Sequence, residues 1–450
     1  MKTYCKGVDI SDPTYIQKAL VAFVNDKCKK GWAIRFFSAR SGKSIEYVKE
    51  NLRCNSEFLK DTLKLVAEEM AVNLKNGTVK EHIVNCSYGE EIIRYVKIKD
   101  SGSGKERPLG LECTILRFYE VLAQYAAEPM FNAKVGEYQC ASIKGKGQSY
   151  GKKAVKRWLS SDPDGTKVCC QSDVSKCYPS IPHTNLIRLL SRDLGKAKML
   201  LNLYITIIGF YEKYPNPYTG KSPEEGILIG SPASKDLCNY YLSYAYHYAS
   251  EKLVKKTVRR GKEKVTRLIS HVIIYADDTV FYGSNKKDVR DAMLLFAKYM
   301  KEFLGLTIKP DWRKFRSQFK DKAGKIRGSA LDFMGYVFHS GEVLEKNYSG
   351  KRVKHKKVWV TIRASIFLRA RRNLRKFCKM LRKRKKVPIR LARGIASQLG
   401  WYKNTNSYKH RKKRKVDKII RIARRIVSDC EKKKKYNTDK YFKMWRICHA

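Results

Sequence analysis

The segment His271-Val272-Ile273-Ile274-Tyr275-Ala276-Asp277-Asp278-Thr279-Val280-Phe281-Tyr282 sets two adjacent aspartates between runs of apolar β-formers. Such a pattern predicts a hairpin with a carboxylate pair at its turn. Adjacent carboxylates on a rigid tip repel each other, and a divalent cation shared with a further acid relieves the repulsion. That arrangement suits metal-assisted phosphoryl chemistry. A plain polar turn fits the same residues, because Asp is common in turns, so the rest of the chain has to decide.

A second segment bears on the choice. Val168-Cys169-Cys170-Gln171-Ser172-Asp173 reads as an apolar strand ending in an acid, followed by Val174-Ser175-Lys176-Cys177 and an aromatic, Tyr178, just before Pro179 turns the chain. Taken alone it is also a strand end with a helix cap. The residues between Asp173 and Asp277 leave room for a helical layer that would set both strands side by side in one sheet.

The intervening and flanking chain is mostly helical. Amphipathic spacing predicts helices within 13–75, ended by Asn76-Gly77, then over 113–131, through Val155 and Leu159, over 186–210, from Leu237 to Tyr244 and over 288–304. A hairpin is expected at 92–111, with Ser101-Gly102-Ser103-Gly104 in its tip and Lys105 and Arg107 beside it. Gly226-Ile227-Leu228-Ile229-Gly230-Ser231-Pro232-Ala233-Ser234-Lys235 is a turn of small residues that lets another backbone come close. Residues 251–268 read as a basic connector, Gly305–Lys309 as a short strand and Leu331–Phe338 as a hairpin arm. The Tyr138–Gly147 loop lacks the spacing of a phosphate-binding P-loop.

Charge narrows the partners. Lys and Arg number 96 against 42 Asp and Glu, a net +54 that self-repels unless a polyanion neutralises part of it. Nucleic acid is the expected partner. The excess peaks after about Ser365, where Arg369, Arg372, Arg375, Lys376 and Arg382 would track phosphates while Ile366, Leu368, Leu374, Phe377 and Leu381 face inward. No apolar run approaches the roughly 20 residues of a membrane span. Met1 to Lys6 lacks the apolar core of a secretory signal, so a cytoplasmic location is expected. The 13 cysteines form no Cys-x-x-Cys pair, which suggests buried reduced thiols.

In order along the chain, Asp173 to Tyr178, the Gly226–Lys235 turn, Tyr275-Ala276-Asp277-Asp278, Gly305–Lys309 and Phe333-Met334-Gly335-Tyr336 resemble the successive motifs of reverse transcriptases. The resemblance implies an α+β right-hand polymerase with fingers, an antiparallel palm sheet and a helical, basic thumb. Its divisions would be a helical extension at 1–90, fingers at 91–172, palm at 173–345, and thumb with C-terminal tail at 346–450. It further implies that a primer 3′-hydroxyl attacks a nucleotide α-phosphate between two Mg2+ or Mn2+ ions about 3.5–4 Å apart. By the same resemblance Asp173, Asp277, Asp278 and the carbonyl of Val174 would hold the metals, and Lys105 and Arg107 would grip the dNTP triphosphate. Lys309 would neutralise the leaving pyrophosphate. Tyr178 would exclude the 2′-hydroxyl, and Phe333, Met334, Gly335 and Tyr336 would form the primer grip. Template RNA and a DNA or RNA primer are the implied partners.

Within that family, Ile229-Gly230 stands where group II intron and retron enzymes usually carry Gln-Gly. Ile-Gly followed by a Ser-containing turn resembles the bacterial and phage reverse transcriptases of diversity-generating retroelements, as does Leu391 to Tyr402 with Thr405-Asn406. The family's usual Ser-Gln is here Ser234-Lys235. This likeness implies error-prone copying at template adenines, mutagenic retrohoming and a small oligomeric accessory protein. The alternatives are a retron, group II-like or phage-defence reverse transcriptase and, from another class, a non-catalytic RNA-binding scaffold.

Overall fold

The structure, a computed structural model, describes residues 3–99, 106–346, 352–403, 405–432 and 436–449. Five helices come first: α1 (Pro13–Val24), α2 (Gly31–Ser41), α3 (Ile45–Asn51), α4 (Glu57–Asn76) and α5 (Val79–Asn85). Their ends follow local chemistry. Asp12 caps α1 through the Thr14 amide and Pro13 supplies the first-turn φ, while α4 starts on a Ser56 cap and stops at Gly77 in the left-handed region. Leu59, Leu63, Val66, Met70 and Leu74 fall on one face of α4 and are buried.

The hairpin β1 (Ile93–Lys99) and β2 (Glu106–Glu112) pairs antiparallel from Ile93↔Glu112 to Lys99↔Glu106; the 100–105 tip, with Lys105, lies outside the described residues. Helix α6 (Thr114–Lys134) buries most of its circumference. Then come β3 (Gln139–Cys140), α7 (Gln148–Ser161), β4 (Val168–Asp173), α8 (His183–Leu194), α9 (Lys198–Lys213) and α10 (Ser234–His247). Two hairpins follow, β5 (Val254–Arg259) with β6 (Lys262–Arg267) and β7 (His271–Tyr275) with β8 (Asp278–Gly283), then α11 (Lys286–Leu304) and β9 (Arg313–Arg316). A five-stranded sheet has the order β3-β7-β8-β4-β9.

The chain divides into two compact units, one of residues 1–147, 171–280 and 290–313, the other of 148–170, 281–289 and 314–450. The second unit adds the small strands β10 (Phe319–Lys320) and β11 (Ile326–Arg327), the meander β12 (Leu331–Phe333), β13 (Tyr336–Lys346) and β14 (Arg352–Ile362), and six helices: α12 (Ala364–Arg382), α13 (Ile389–Ser397), α14 (Leu399–Tyr402), α15 (Tyr408–Lys413), α16 (Val416–Glu431) and α17 (Thr438–His449). Leu374, Phe377, Leu381, Ile395, Ile419, Ala423 and Ile426 form its helical core. Among the described residues no helix is long and apolar enough to cross a membrane, and the described cysteines are free thiols.

Four expectations need correction. Residues 251–268 are not a connector but the β5–β6 hairpin, whose Val and Thr content favours strands despite its charge. Gly305–Lys309 is not a strand: Gly305 and Leu306 stay bonded to the carbonyls of Lys301 and Met300 at the end of α11, and only Ile308 bridges, to Val174. The sheet is not wholly antiparallel, because β3 runs parallel to β7 (Gln139↔Ile274), as the long helical excursion between them permits. Leu368 is exposed rather than buried, being offset from the Leu374–Phe377–Leu381 stripe of α12.

Candidate active site

The site assembles where three backbone segments of the first unit are stitched together. At the end of β4 the Val174 amide donates to the Asp277 carbonyl at 3.2 Å, the Ser175 amide to Thr307 at 2.8 Å and the Lys309 amide to the Asp173 carbonyl at 2.9 Å. The β7–β8 reversal is only two residues long, and Ala276 adopts φ +54, a left-handed conformation uncommon outside glycine and asparagine. Its amide donates to the Cys140 carbonyl of β3, continuing the parallel ladder to the turn. Backbone bonds thus bring Asp173, Asp277 and Lys309 together.

Electrostatics then act on that cluster. Crowding by protein and, next, the negative charge of Asp173 push the Asp277 carboxyl above its usual range, while Lys309 opposes them. Asp277 stays reachable by solvent at the turn. The Lys309 ammonium donates to Asp173 Oδ2, and this bond holds its pKa above the ordinary lysine value. Asp173 Oδ1 is buried and no donor reaches it. An orphaned carboxylate oxygen facing a second carboxyl fits a hard divalent cation. Val174 has a buried side chain, so only its backbone could join such a ligand set, and Asp278, half-buried at the start of β8, is the remaining acid of the turn. Among the described residues no three His, Cys, Asp or Glu side chains form a ready-made metal cluster. Magnesium commonly keeps water and substrate phosphates as its other ligands.

Beside the carboxylates, Tyr178 starts a short 3-10 turn, half-buried, with burial as the main cause holding its phenol protonated well above the ordinary range. Its carbonyl accepts the Ile227 amide at 3.0 Å, and the Gly226 amide reaches Ile181 at 2.9 Å. Gly226 has φ +104, and a Cβ there would lie 3.1 Å from the Pro179 carbonyl oxygen, so the turn needs glycine for both conformation and approach. On its other side the turn is clasped to the 93–112 hairpin: the Gly110 amide donates to the Ile229 carbonyl at 3.1 Å, and a Cβ on Gly230 would sit 3.3 Å from the Gly110 carbonyl. Ile229 is half-buried, Gly230 exposed, and Arg107 exposed on the same β2 strand.

Two residues that sequence reasoning did not single out, Glu120 and Tyr211, anchor this turn through its Ser231 hydroxyl. Glu120 of α6 is fully buried and accepts hydrogen bonds from Tyr211 of α9 at 2.7 Å and from the Ser231 hydroxyl. Burial, reinforced by nearby Glu112, raises the Glu120 pKa well above the carboxylate range. The acid in the middle of an apolar helix stretch, Phe118-Tyr119-Glu120-Val121-Leu122, was the available signal.

The remaining predicted residues belong to the second unit. Met334 and Gly335 turn β12 into β13, with Phe333 paired to Tyr336, and the Lys152 ammonium lies 4.7 Å from the Tyr336 ring centroid. On α12, Arg372, Arg375, Lys376 and Arg382 are exposed and Arg369 is half-buried.

No curated protein matches the chain. Residues 98–338, more than half of its length, match the family described as reverse transcriptase (RNA-dependent DNA polymerase). That family uses divalent metal ions and deoxynucleoside triphosphates and binds template RNA and primer. The matched span contains the Asp173, Asp277 and Lys309 cluster, the Tyr178 turn and the clasped Gly226–Ser231 turn, and the chain belongs to the reverse transcriptases, the RNA-directed DNA polymerases.

Proposed function

We propose that this reverse transcriptase serves a diversity-generating retroelement, copying a template RNA into cDNA with errors concentrated at template adenines. The observation that carries the reading is Ile229 in a turn held by backbone bonds to Tyr178 on one side and Gly110 on the other. An aliphatic side chain there offers no hydrogen bond to a nascent base pair, so selection leans on shape alone.

In the chemistry we propose, Asp173, Asp277, Asp278 and the Val174 carbonyl hold two divalent cations, which when bound would polarise the nucleotide α-phosphate and stabilise the attacking and leaving oxygens. The primer 3′-hydroxyl gives its proton to water and bonds to the α-phosphorus as the bond from that phosphorus to the bridging oxygen breaks and pyrophosphate departs. Lys309 is released from Asp173 to neutralise that pyrophosphate. Arg107, with Lys105, grips the triphosphate; Tyr178 closes the space a 2′-hydroxyl would need. Phe333 to Tyr336 steady the primer end, and Arg369, Arg372, Arg375, Lys376 and Arg382 follow the duplex backbone. Fingers at 91–172, palm at 173–345 and thumb from 346 onward, with a helical extension at 1–90 and a small oligomeric accessory protein, complete the proposal.

Sequencing cDNA made by the wild type and by Ile229→Gln tests it. Restoring one hydrogen-bonding side chain should lower misincorporation opposite adenine about three- to tenfold, the worth of one net hydrogen bond, and leave errors opposite the other bases nearly unchanged. Equal adenine error rates would overturn the reading.

A further inference from the structure

The β5–β6 hairpin has no part in the chemistry above, yet its register sorts its side chains in an unusual way. Residues paired directly across an antiparallel ladder share a face. The pairs Val254↔Arg267, Lys256↔Val265 and Val258↔Glu263 therefore form one face, and Lys255↔Thr266, Thr257↔Lys264 and Arg259↔Lys262 form the other. The first face carries the valines and the hairpin's lone acid, Glu263, already paired with Lys256 at 2.8 Å. The described side chains of the second are lysine and threonine only.

The ribbon is also stiff and open. Arg260 and Gly261 reverse it in two residues, with φ +52 and +71, the left-handed pair of a tight hairpin turn. At its base Leu253 and Leu268 are buried and bonded, Leu268 amide to Leu253 carbonyl at 2.9 Å. Beyond them every residue of β6 is exposed, and Val258 and Val265 are 75% and 57% exposed. Lys262 and Lys264 lie exposed on the face that carries no carboxylate, and two like charges so placed attract a polyanion.

We propose that the Lys255, Thr257, Lys262, Lys264 and Thr266 face is a phosphate-backbone site for structured RNA, separate from the polymerase cleft. Same-face side chains along a strand are about 6.6–6.8 Å apart, so Lys262 and Lys264 present adjacent point charges with the Thr266 hydroxyl next along β6, while the Thr257 hydroxyl donates across the ribbon to the Lys264 carbonyl at 3.3 Å. The described side chains of this face include no aromatic ring to stack a base and no amide to read a base edge, which makes the contact sequence-independent. This site rests on the family's use of RNA and not on the retroelement reading, and its failure would leave the adenine test untouched.

The test is equilibrium binding of the full-length protein to a long stem-loop RNA of arbitrary sequence, across about 50–200 mM salt. Lys262→Gln with Lys264→Gln should flatten the log–log salt slope by about 1.8, the duplex value for two phosphates, and weaken binding roughly tenfold at physiological ionic strength. Lys60→Gln with Lys64→Gln removes the same net charge from the exposed side of α4 and should change neither. Lys262→Glu with Lys264→Glu should deepen the loss, with the melting temperature of each variant showing that the fold persists. Equal slopes for the two Gln pairs would overturn the site. So would a ribbon variant that lost binding to phosphatidylserine vesicles while keeping its RNA affinity, which would assign the face to a membrane.

Discussion

Two hairpin turns, one in each unit, share a backbone device and differ in what it does. Ala276 and Met334 both sit at φ +54 immediately after a strand. In the first turn the next residue is Asp277, whose side chain is pushed out towards solvent beside Asp173. In the second it is Gly335, at φ +79, where a Cβ would come within 2.7 Å of the Trp401 ring and 2.9 Å of Ile366. The same sharp reversal can therefore project a carboxyl or draw a backbone under an indole. Which of these happens depends on the residue at the second position and on what packs above it.

The largest effect that separates the turns should come from Asp277→Asn. Losing one carboxylate from the cluster should lower primer extension by at least about 10³-fold, while the melting temperature does not fall, because crowding and Asp173 already disfavour the Asp277 charge. A variant retaining full extension would make Asp277 a plain polar turn residue and take it out of the proposed metal-holding set. Gly335→Ala should act in the opposite manner, on stability. Left-handed strain of about 1–2 kcal/mol and overpacking of about 1–3 kcal/mol should together lower unfolding free energy by roughly 2–5 kcal/mol in a denaturant titration. A loss below about 1 kcal/mol would mean that Trp401 moves aside. The smallest change should be Ala276→Gly: relief of about 1–2 kcal/mol of strain against about 0.5–1 kcal/mol of glycine entropy leaves stability within about 1 kcal/mol. Its kcat should nonetheless drop if the strained φ is what aims Asp277, and an unchanged kcat would show that the ladder bond to Cys140 suffices.

What was legible in the sequence was local. The Asp-Asp hairpin, the strand ending at Asp173 and the hairpin around Met334-Gly335 each carry their pattern within a few consecutive residues. Lys309 was singled out for a leaving group, but its bond to Asp173 arises because the chain leaves α11 at Gly305 without forming a strand. Glu120, Tyr211 and Ser231 belong to three elements whose meeting no local period encodes, and a buried acid in a helix has no signature until its donors arrive. The β5–β6 hairpin escaped for the opposite reason: lacking a buried face, it lacks the apolar alternation by which half-buried strands are recognised.

The clasp around the Gly226–Ser231 turn has a consequence for how such an enzyme can change over generations. Gly110, Tyr178 and Ile181 hold the turn through backbone atoms, and Glu120 holds it through Ser231. None of these bonds uses the Ile229 side chain. On the role proposed for Ile229, copying accuracy can therefore drift by substitution at that single position while the scaffold that presents it stays fixed, so a lineage could acquire or lose sloppiness as a trait inherited separately from the capacity to polymerise.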